Sequence, residues 1–208
     1  SADLLRAQRK IMRSMIFVMP ALLRLLYGTG LRISEAVALR NKDVNLTENY
    51  LIIKDSKNGK QRMVPISESL SIVCKEYVEY RDLLPISKSK EDTFFISLNG
   101  SKLTTDAVYR RFQDILKIAG IPFIGNHHGP RLHDIRHTFA VISLAHMAES
   151  GIDLYCSLPI LSTYLGHQSL SATDTYVRLT SMMYPGLLKN IDLVCLNVFP
   201  NLSSHETN

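Results

Sequence analysis

Apolar positions along this chain sort mainly at helical spacing, and one stretch near residues 50–65 breaks that pattern with two short apolar runs split by a turn signal. Residues from about Met12 to Tyr27 form the first helical pattern, which Gly28 and Gly30 close as C-cap and tight loop. A second helix is predicted from about Arg32 to Arg40. Tyr50-Leu51-Ile52-Ile53-Lys54 reads as a strand and Arg62-Met63-Val64-Pro65 as its partner, with Asn58-Gly59 between them as a hairpin turn. Ser67 caps a helix through about Arg81, with Leu70, Val73, Cys74 and Tyr77 on one stripe. Thr93 to Ser97 is a further short strand. Thr104 or Thr105 caps an amphipathic helix with Val108, Phe112, Ile115 and Ala119 inward, stopped by Gly120. Residues 121–131 form a loop, His133 to about Ser150 a helix, and Pro159 opens another that Gly166 closes. A helix around Ala172 to Leu179 and an apolar segment from Met182 to Val198 complete the chain. The pattern predicts one compact domain over residues 1–208, mainly α with a small antiparallel β-sheet (α+β).

Composition changes this picture little. The 208 residues suffice for a sizeable core, and 46% hydrophobic with 21% charged residues are ordinary values for a globular protein. The balance of 24 Lys+Arg against 19 Asp+Glu, with a pI near 9.1, permits a polyanionic partner without requiring one. Cys74, Cys156 and Cys195 form no CxxC pair and read as reduced, buried thiols of a cytoplasmic protein. Arg6 to Arg13 followed by Met15 to Leu23 imitates a signal peptide, but Pro20 and Arg24 interrupt it and no small-residue cleavage site follows. Ser1 in place of an initiator Met suggests an excised fragment. No apolar run approaches the ~20 residues of a membrane span.

The chemistry concentrates in His133-Asp134-Ile135-Arg136-His137. Arginine offers a fixed, permanently charged fork that matches phosphate oxygens, and histidine exchanges protons near neutral pH. A second arginine lies in Thr29-Gly30-Leu31-Arg32-Ile33-Ser34-Glu35, after a glycine turn and at a helix start, where backbone N–H groups favour phosphate. Arg32 and Arg136 could clamp two non-bridging oxygens of a phosphodiester and stabilise the charge that grows there under attack. His167, just after Gly166, could add a hydrogen bond. Tyr176 is the candidate nucleophile, since a phenolate can form a covalent phosphoryl-enzyme once neighbouring groups help remove its proton.

Four separated strings then carry a resemblance: Gly30-Leu31-Arg32-Ile33-Ser34-Glu35, His133 through Ala140, Leu165-Gly166-His167, and Thr173-Asp174-Thr175-Tyr176. Together, and in this order, they resemble the catalytic domain of tyrosine recombinases, the phage integrase family, over roughly Met12 to Thr180. The resemblance implies that fold, and strand breakage and rejoining through a 3′-phosphotyrosine, with Tyr176 attacking the scissile phosphate. It implies that Arg32, Arg136 and His167 bind the phosphate, that His133 acts in proton exchange, and that Glu35 supports Arg32. The family's hairpin lysine has two options, Lys57 and Lys60, and aligning Lys60 through Pro65 with the second strand puts Lys57 at the catalytic position. Lys60, Arg62 and the Tyr109-Arg110-Arg111 face are assigned to DNA contact. No cofactor is implied: the phosphotyrosine retains the energy of the broken bond, so no ATP is needed, and the arginines take over the electrostatic role of a metal ion. The expected partners are double-stranded DNA and further copies in a tetramer, with no membrane contact; residues 181–208 have two readings, a last core helix packed in cis or, as the resemblance implies, a segment passed to a neighbouring protomer. The role implied is integration or excision of a mobile element, with chromosome-dimer resolution as the alternative, in bacterial cytoplasm.

Two features depart from the family pattern. Arg136 and His167 stand further apart than in compact members, which places extra chain near His146 to Ser157, and the amino-terminal DNA-binding domain is missing from this sequence. Three rival readings exist. His133 and His137, four apart with His127 and His128 nearby, suggest an H-E-x-x-H zinc site, but Asp134 replaces the glutamate and Arg136 would repel a cation. A non-catalytic DNA-binding module explains the basic residues but not the coincidence of Tyr176, Arg32, Arg136 and His167. A type IB topoisomerase shares the tyrosine chemistry but fits the chain length and spacing less well.

Overall fold

The computed structural model describes residues 17–54, 61–85, 92–122, 124, 129–167 and 176. Among them are six α-helices and one three-stranded sheet, and the chain divides into two compact units between Phe139 and Ala140. The first unit holds α1 (Met19–Thr29), α2 (Ile33–Val37), β1 (Val44–Asn45), β2 (Tyr50–Lys54), β3 (Gln61–Pro65), α3 (Glu68–Asp82) and α4 (Thr105–Ile118). Helix α5 (Leu132–Glu149) starts there and continues into the second unit, which also holds α6 (Leu154–Leu165).

Pro20 falls at the start of α1, where its missing N–H costs nothing, so the proline that breaks the signal-peptide-like run opens a helix here. Met19, Leu22, Leu25 and Leu26 then bury one side of α1. Gly30 ends the helix with φ 61°, and its N–H returns to the Leu26 carbonyl at 2.9 Å. Any residue with a Cβ is strained in that left-handed conformation, which is why the chain uses glycine at this corner. The corner sets the direction in which Arg32 leaves.

The sheet has the order β1-β2-β3 and is antiparallel throughout, with Leu51 opposite Val64 and Ile53 opposite Arg62. Leu51, Ile53 and Val64 are almost wholly buried, each contributing about 1.5–3 kcal/mol. Strand side chains alternate, so Arg62 occupies the same, inward face as Val64, while Met63 is 64% exposed on the other. Helix α3 is capped by the Ser67 hydroxyl, which accepts from the Leu70 N–H at 3.2 Å, and buries Leu70, Cys74 and Tyr77. The Tyr77 ring packs against Phe94 and Phe95, and its hydroxyl accepts from the Ile96 N–H at 3.0 Å. Burial pushes that phenol up to about 12 and the Cys74 thiol to about 11.

Several elements differ from their sequence-based expectation. Helix α2 ends at Val37, because Arg40 turns extended to bridge Thr93 and Leu39 accepts from the Phe94 N–H at 2.8 Å. Thr93–Ser97 accordingly forms isolated bridges, Arg40 with Thr93 and Ile96 with Lys102, in place of a strand. Thr104, not Thr105, caps α4 by accepting from the Ala107 N–H, and Leu116 takes the inward place expected of Ile115 and Ala119. Pro159 lies inside α6, which starts five residues earlier at Leu154 and forgoes the hydrogen bond a proline cannot donate. Cys156 is exposed rather than buried. The Asn58-Gly59 turn, Cys195, the 172–179 helix apart from the helical Tyr176, and the segment 182–198 lie outside the described residues. No helix among the described residues is long and apolar enough to cross a membrane.

Candidate active site

Two arginines far apart in sequence meet in the first unit. Arg32 stands at the N-cap of α2, and Arg136 lies one turn into α5. Together with His133, Ser34 and Tyr109 they line a cavity of about 200 Å³. Arg136 is only 2% exposed, and its Nη1 donates to the Gly30 carbonyl at 2.7 Å. The left-handed corner that launches Arg32 thus also anchors Arg136. A buried guanidinium sits where the dielectric is low, so its attraction for an anion in the cavity exceeds that of a solvated one.

Glu35, in the first turn of α2, organises the exposed side of this clamp. One of its oxygens, Oε2, accepts from the Arg32 backbone N–H at 2.9 Å, and Oε1 accepts from Arg32 Nη1 at 3.2 Å. Arg62 reaches across from β3 and forks the same carboxylate, Nη1 to Oε1 and Nη2 to Oε2, both at 3.0 Å. Burial alone would raise the Glu35 carboxyl, but the Arg62 hydrogen bond, the Arg32 N–H and the two positive charges outweigh it and hold it below its ordinary range. The start of α5 repeats the device: Asp134 accepts from the Arg131 backbone N–H at 2.8 Å and from its guanidinium at 2.8 Å. Burial would raise Asp134 as well, and these bonds pull it below its usual value.

His133 and His137 lie one turn apart on α5, with rings edge to face at 4.6 Å. Burial lowers the affinity of His133 for a proton, and the charges of His137, Arg136 and Arg131 lower it further against the opposing pull of Asp134. For His137, burial again leads, Asp134 opposes it, and Arg131 and Arg136 add to it. A neutral His133 at the cavity rim suits a proton acceptor. The same shifts make stability depend on pH. Both imidazoles bind protons more weakly folded than unfolded, so the unfolded chain takes up more protons as pH falls below the ordinary value of 6.5. The resulting stability is present above that pH and lost below it. Thermal unfolding should therefore show Tm declining as pH drops through this range, and replacing both histidines by Gln should flatten the slope; an unchanged slope would discount the burial effect.

The residues expected on DNA separate into kinds. Tyr109 is exposed and borders the cavity, and Arg110 is exposed beside it. Arg111 is turned inward, pairing with Asp114 at 3.1 Å while its Nε is buried without a hydrogen-bond partner. Arg62 is held by Glu35, with its side chain 16% exposed. Its engagement went unread in the sequence, although its register with Val64 marks it as inward-facing. Lys57 and Lys60 lie outside the described residues.

In the second unit, α6 ends at Leu165 and Gly166 turns left-handed at φ 67°. This brings the His167 N–H back to the Ser162 carbonyl at 3.0 Å. The His167 ring stacks on Tyr176, with centroids 5.8 Å apart and planes 17° from parallel, and Tyr176 is 3% exposed. The candidate nucleophile and the candidate phosphate-binding histidine are therefore neighbours.

These elements form the catalytic-domain fold of tyrosine recombinases. The crystal structure of XerA recombinase matches with a TM-score of 0.61 at 25% identity, over 80% of this chain and 56% of that one. XerH site-specific recombinase, bound to a palindromic difH substrate in a post-cleavage complex, matches at 0.60 and 26% identity, over 81% and 44%. A family model described as the phage integrase family covers residues 4–182, and the chain belongs to that family. Among curated relatives, the provisionally named integrase/recombinase y4rB of Sinorhizobium fredii is 36% identical over 74% of this chain and 49% of its own. Tyrosine recombinase XerA of Pyrococcus furiosus is 35% identical over 76% and 49%. The chain spans about half the length of the curated relatives it matches.

Proposed function

We propose that this chain is the catalytic part of a site-specific DNA recombinase that breaks and rejoins strands through Tyr176. The observation that carries the reading is the shared cavity of Arg32, Arg136 and His133, with a buried arginine anchored to a backbone carbonyl. Such a cavity fits the non-bridging oxygens of a phosphodiester. Tyr176 Oη attacks phosphorus, the bond to the 5′ oxygen breaks, and a 3′-phosphotyrosine forms as the departing 5′-hydroxyl takes up a proton, for which Lys57 is the candidate donor. His133 handles the tyrosine proton, and His167 donates to the phosphate. Arg32 and Arg136 stabilise the pentavalent charge. The 5′-hydroxyl of another strand reverses the step without ATP. Incubation with a nicked suicide duplex in EDTA should leave a covalent protein–DNA adduct on a denaturing gel. Absence of any adduct across suicide substrates would overturn the reading.

The partner is double-stranded DNA, and the working assembly is a tetramer on two duplexes, in the cytoplasm. The XerH complex with its difH substrate supports the first point by likeness. Residues 181–208 are read as the segment exchanged between protomers, so deletion from residue 182 onward should weaken the four-protomer complex seen by light scattering while leaving the Tm of the remaining chain nearly unchanged. Aggregation of the shortened monomer would mean that the segment covers its own core. The biological role is integration or excision of a mobile element; likeness to XerA keeps chromosome-dimer resolution as the second reading.

A further inference from the structure

Arg62 is an unexpected residue for its place in the fold. It lies on the inward face of β3, opposite Ile53, which is 2% exposed, and two positions from the fully buried Val64. That face excludes charge unless the charge is met in kind. Arg62 meets Glu35, and each side chain retains little exposure, 16% and 10%. A structural ion pair would serve there with any partner. What distinguishes this one is that its carboxylate also holds Arg32, by both the backbone N–H and the guanidinium.

A desolvated carboxylate draws in whatever cations reach it. With Arg62 forked onto both oxygens, Glu35 is already compensated from the strand side. Arg32 is then held at its base and at one Nη, while its side chain stays 40% exposed and borders the cavity. Were Arg62 missing, Arg32 would face an uncompensated anion, and its charge would be drawn toward Glu35 and away from the cavity.

We propose that Arg62 is a positioning residue for the phosphate clamp: by sharing Glu35 with Arg32 it fixes the direction of the Arg32 guanidinium and keeps its charge available to the substrate phosphate. The inference rests on the recombinase reading above and adds to it a residue that does not touch DNA. A fork is essential to this role, because only a planar guanidinium takes both oxygens at once; a lysine supplies the charge without the geometry.

The test is Arg62→Lys, which keeps a cation at the buried position, made in the wild-type and in the Arg32→Ala backgrounds. Single-turnover cleavage of a nicked suicide duplex at saturating protein, the dissociation constant, its salt dependence and the Tm are measured for each. Cleavage should slow roughly 10- to 100-fold in the wild-type background, as a misdirected contact does, with affinity and salt slope unchanged. In the Arg32→Ala background the same substitution should change the rate by less than about twofold, since residues acting through one another are not additive. Equal losses in both backgrounds would reduce Arg62 to a structural residue. Weaker binding with a shallower salt slope would make it a direct phosphate contact, and a wild-type rate would also overturn the proposal. If Arg62→Lys does not fold, the double variant Arg62→Met, Glu35→Met removes both buried charges together and should fold. It should then lose cleavage while retaining affinity, and retained cleavage would refute the inference. A wild-type protein that forms no adduct removes the recombinase reading and this one with it, whereas a normal wild-type adduct beside an unimpaired Arg62→Lys rejects the positioning role alone.

Discussion

Tyr176→Phe is expected to abolish the covalent DNA adduct while leaving DNA affinity within about threefold of the wild type. The substitution removes one oxygen and nothing else. The ring that stacks on His167 remains, so the buried packing around position 176 survives, and the stability cost should stay within about 1–2 kcal/mol. Loss of the proposed nucleophile closes the covalent route, so the cleavage rate should fall by at least ~10⁴-fold. A gel-shift assay and a suicide-substrate gel run on the same preparation separate binding from chemistry. Adduct formation persisting in Tyr176→Phe would reassign the nucleophile to another of the nine tyrosines.

Arg136→Lys should be nearly as damaging to cleavage, by about 10²–10³-fold, the usual penalty for losing one preorganised donor at a developing oxyanion. Lysine retains charge, but it cannot hold the Gly30 carbonyl and face the cavity with the same planar group. Arg136→Ala would add a folding defect, because the Gly30 carbonyl loses that buried donor, at a cost of about 1–3 kcal/mol readable by urea denaturation. The two variants together separate electrostatics from folding. Arg136→Lys cleaving within about threefold of wild type would remove this arginine from the clamp, since losing one such donor typically costs about 10²–10³-fold.

Local chemistry made much of the site legible. Gly30 before Arg32, and the pairing of His133 with Arg136 one turn apart, are short-range patterns whose physical consequences, a left-handed corner and a common helical face, follow from a few residues. Helix caps were readable for the same reason, although two adjacent threonines could each serve and only the Ala107 N–H decides for Thr104. The stripe of α4 was legible at Val108 and Phe112 but not beyond, since both three- and four-residue steps keep to one face and packing selects Leu116. Thr93–Ser97 has strand composition, yet among the described residues it pairs through two isolated bridges rather than along an edge of matching length. Arg62 escaped because a basic residue beside a turn reads as a DNA contact. Its buried partner, Glu35, is distant in sequence, and only the register of β2 with β3 turns the guanidinium toward it.

The bond from Arg136 to Gly30 spans 106 residues of chain. During synthesis, at roughly 5–20 residues per second, the first jaw of the clamp would leave the ribosome on the order of 5–20 seconds before the second has been made. Through that interval the Gly30 carbonyl lacks the donor that Arg136 later brings. On the proposed function, the phosphate pocket is therefore unassembled in a nascent chain and forms only when the start of α5 docks against the Gly30 corner.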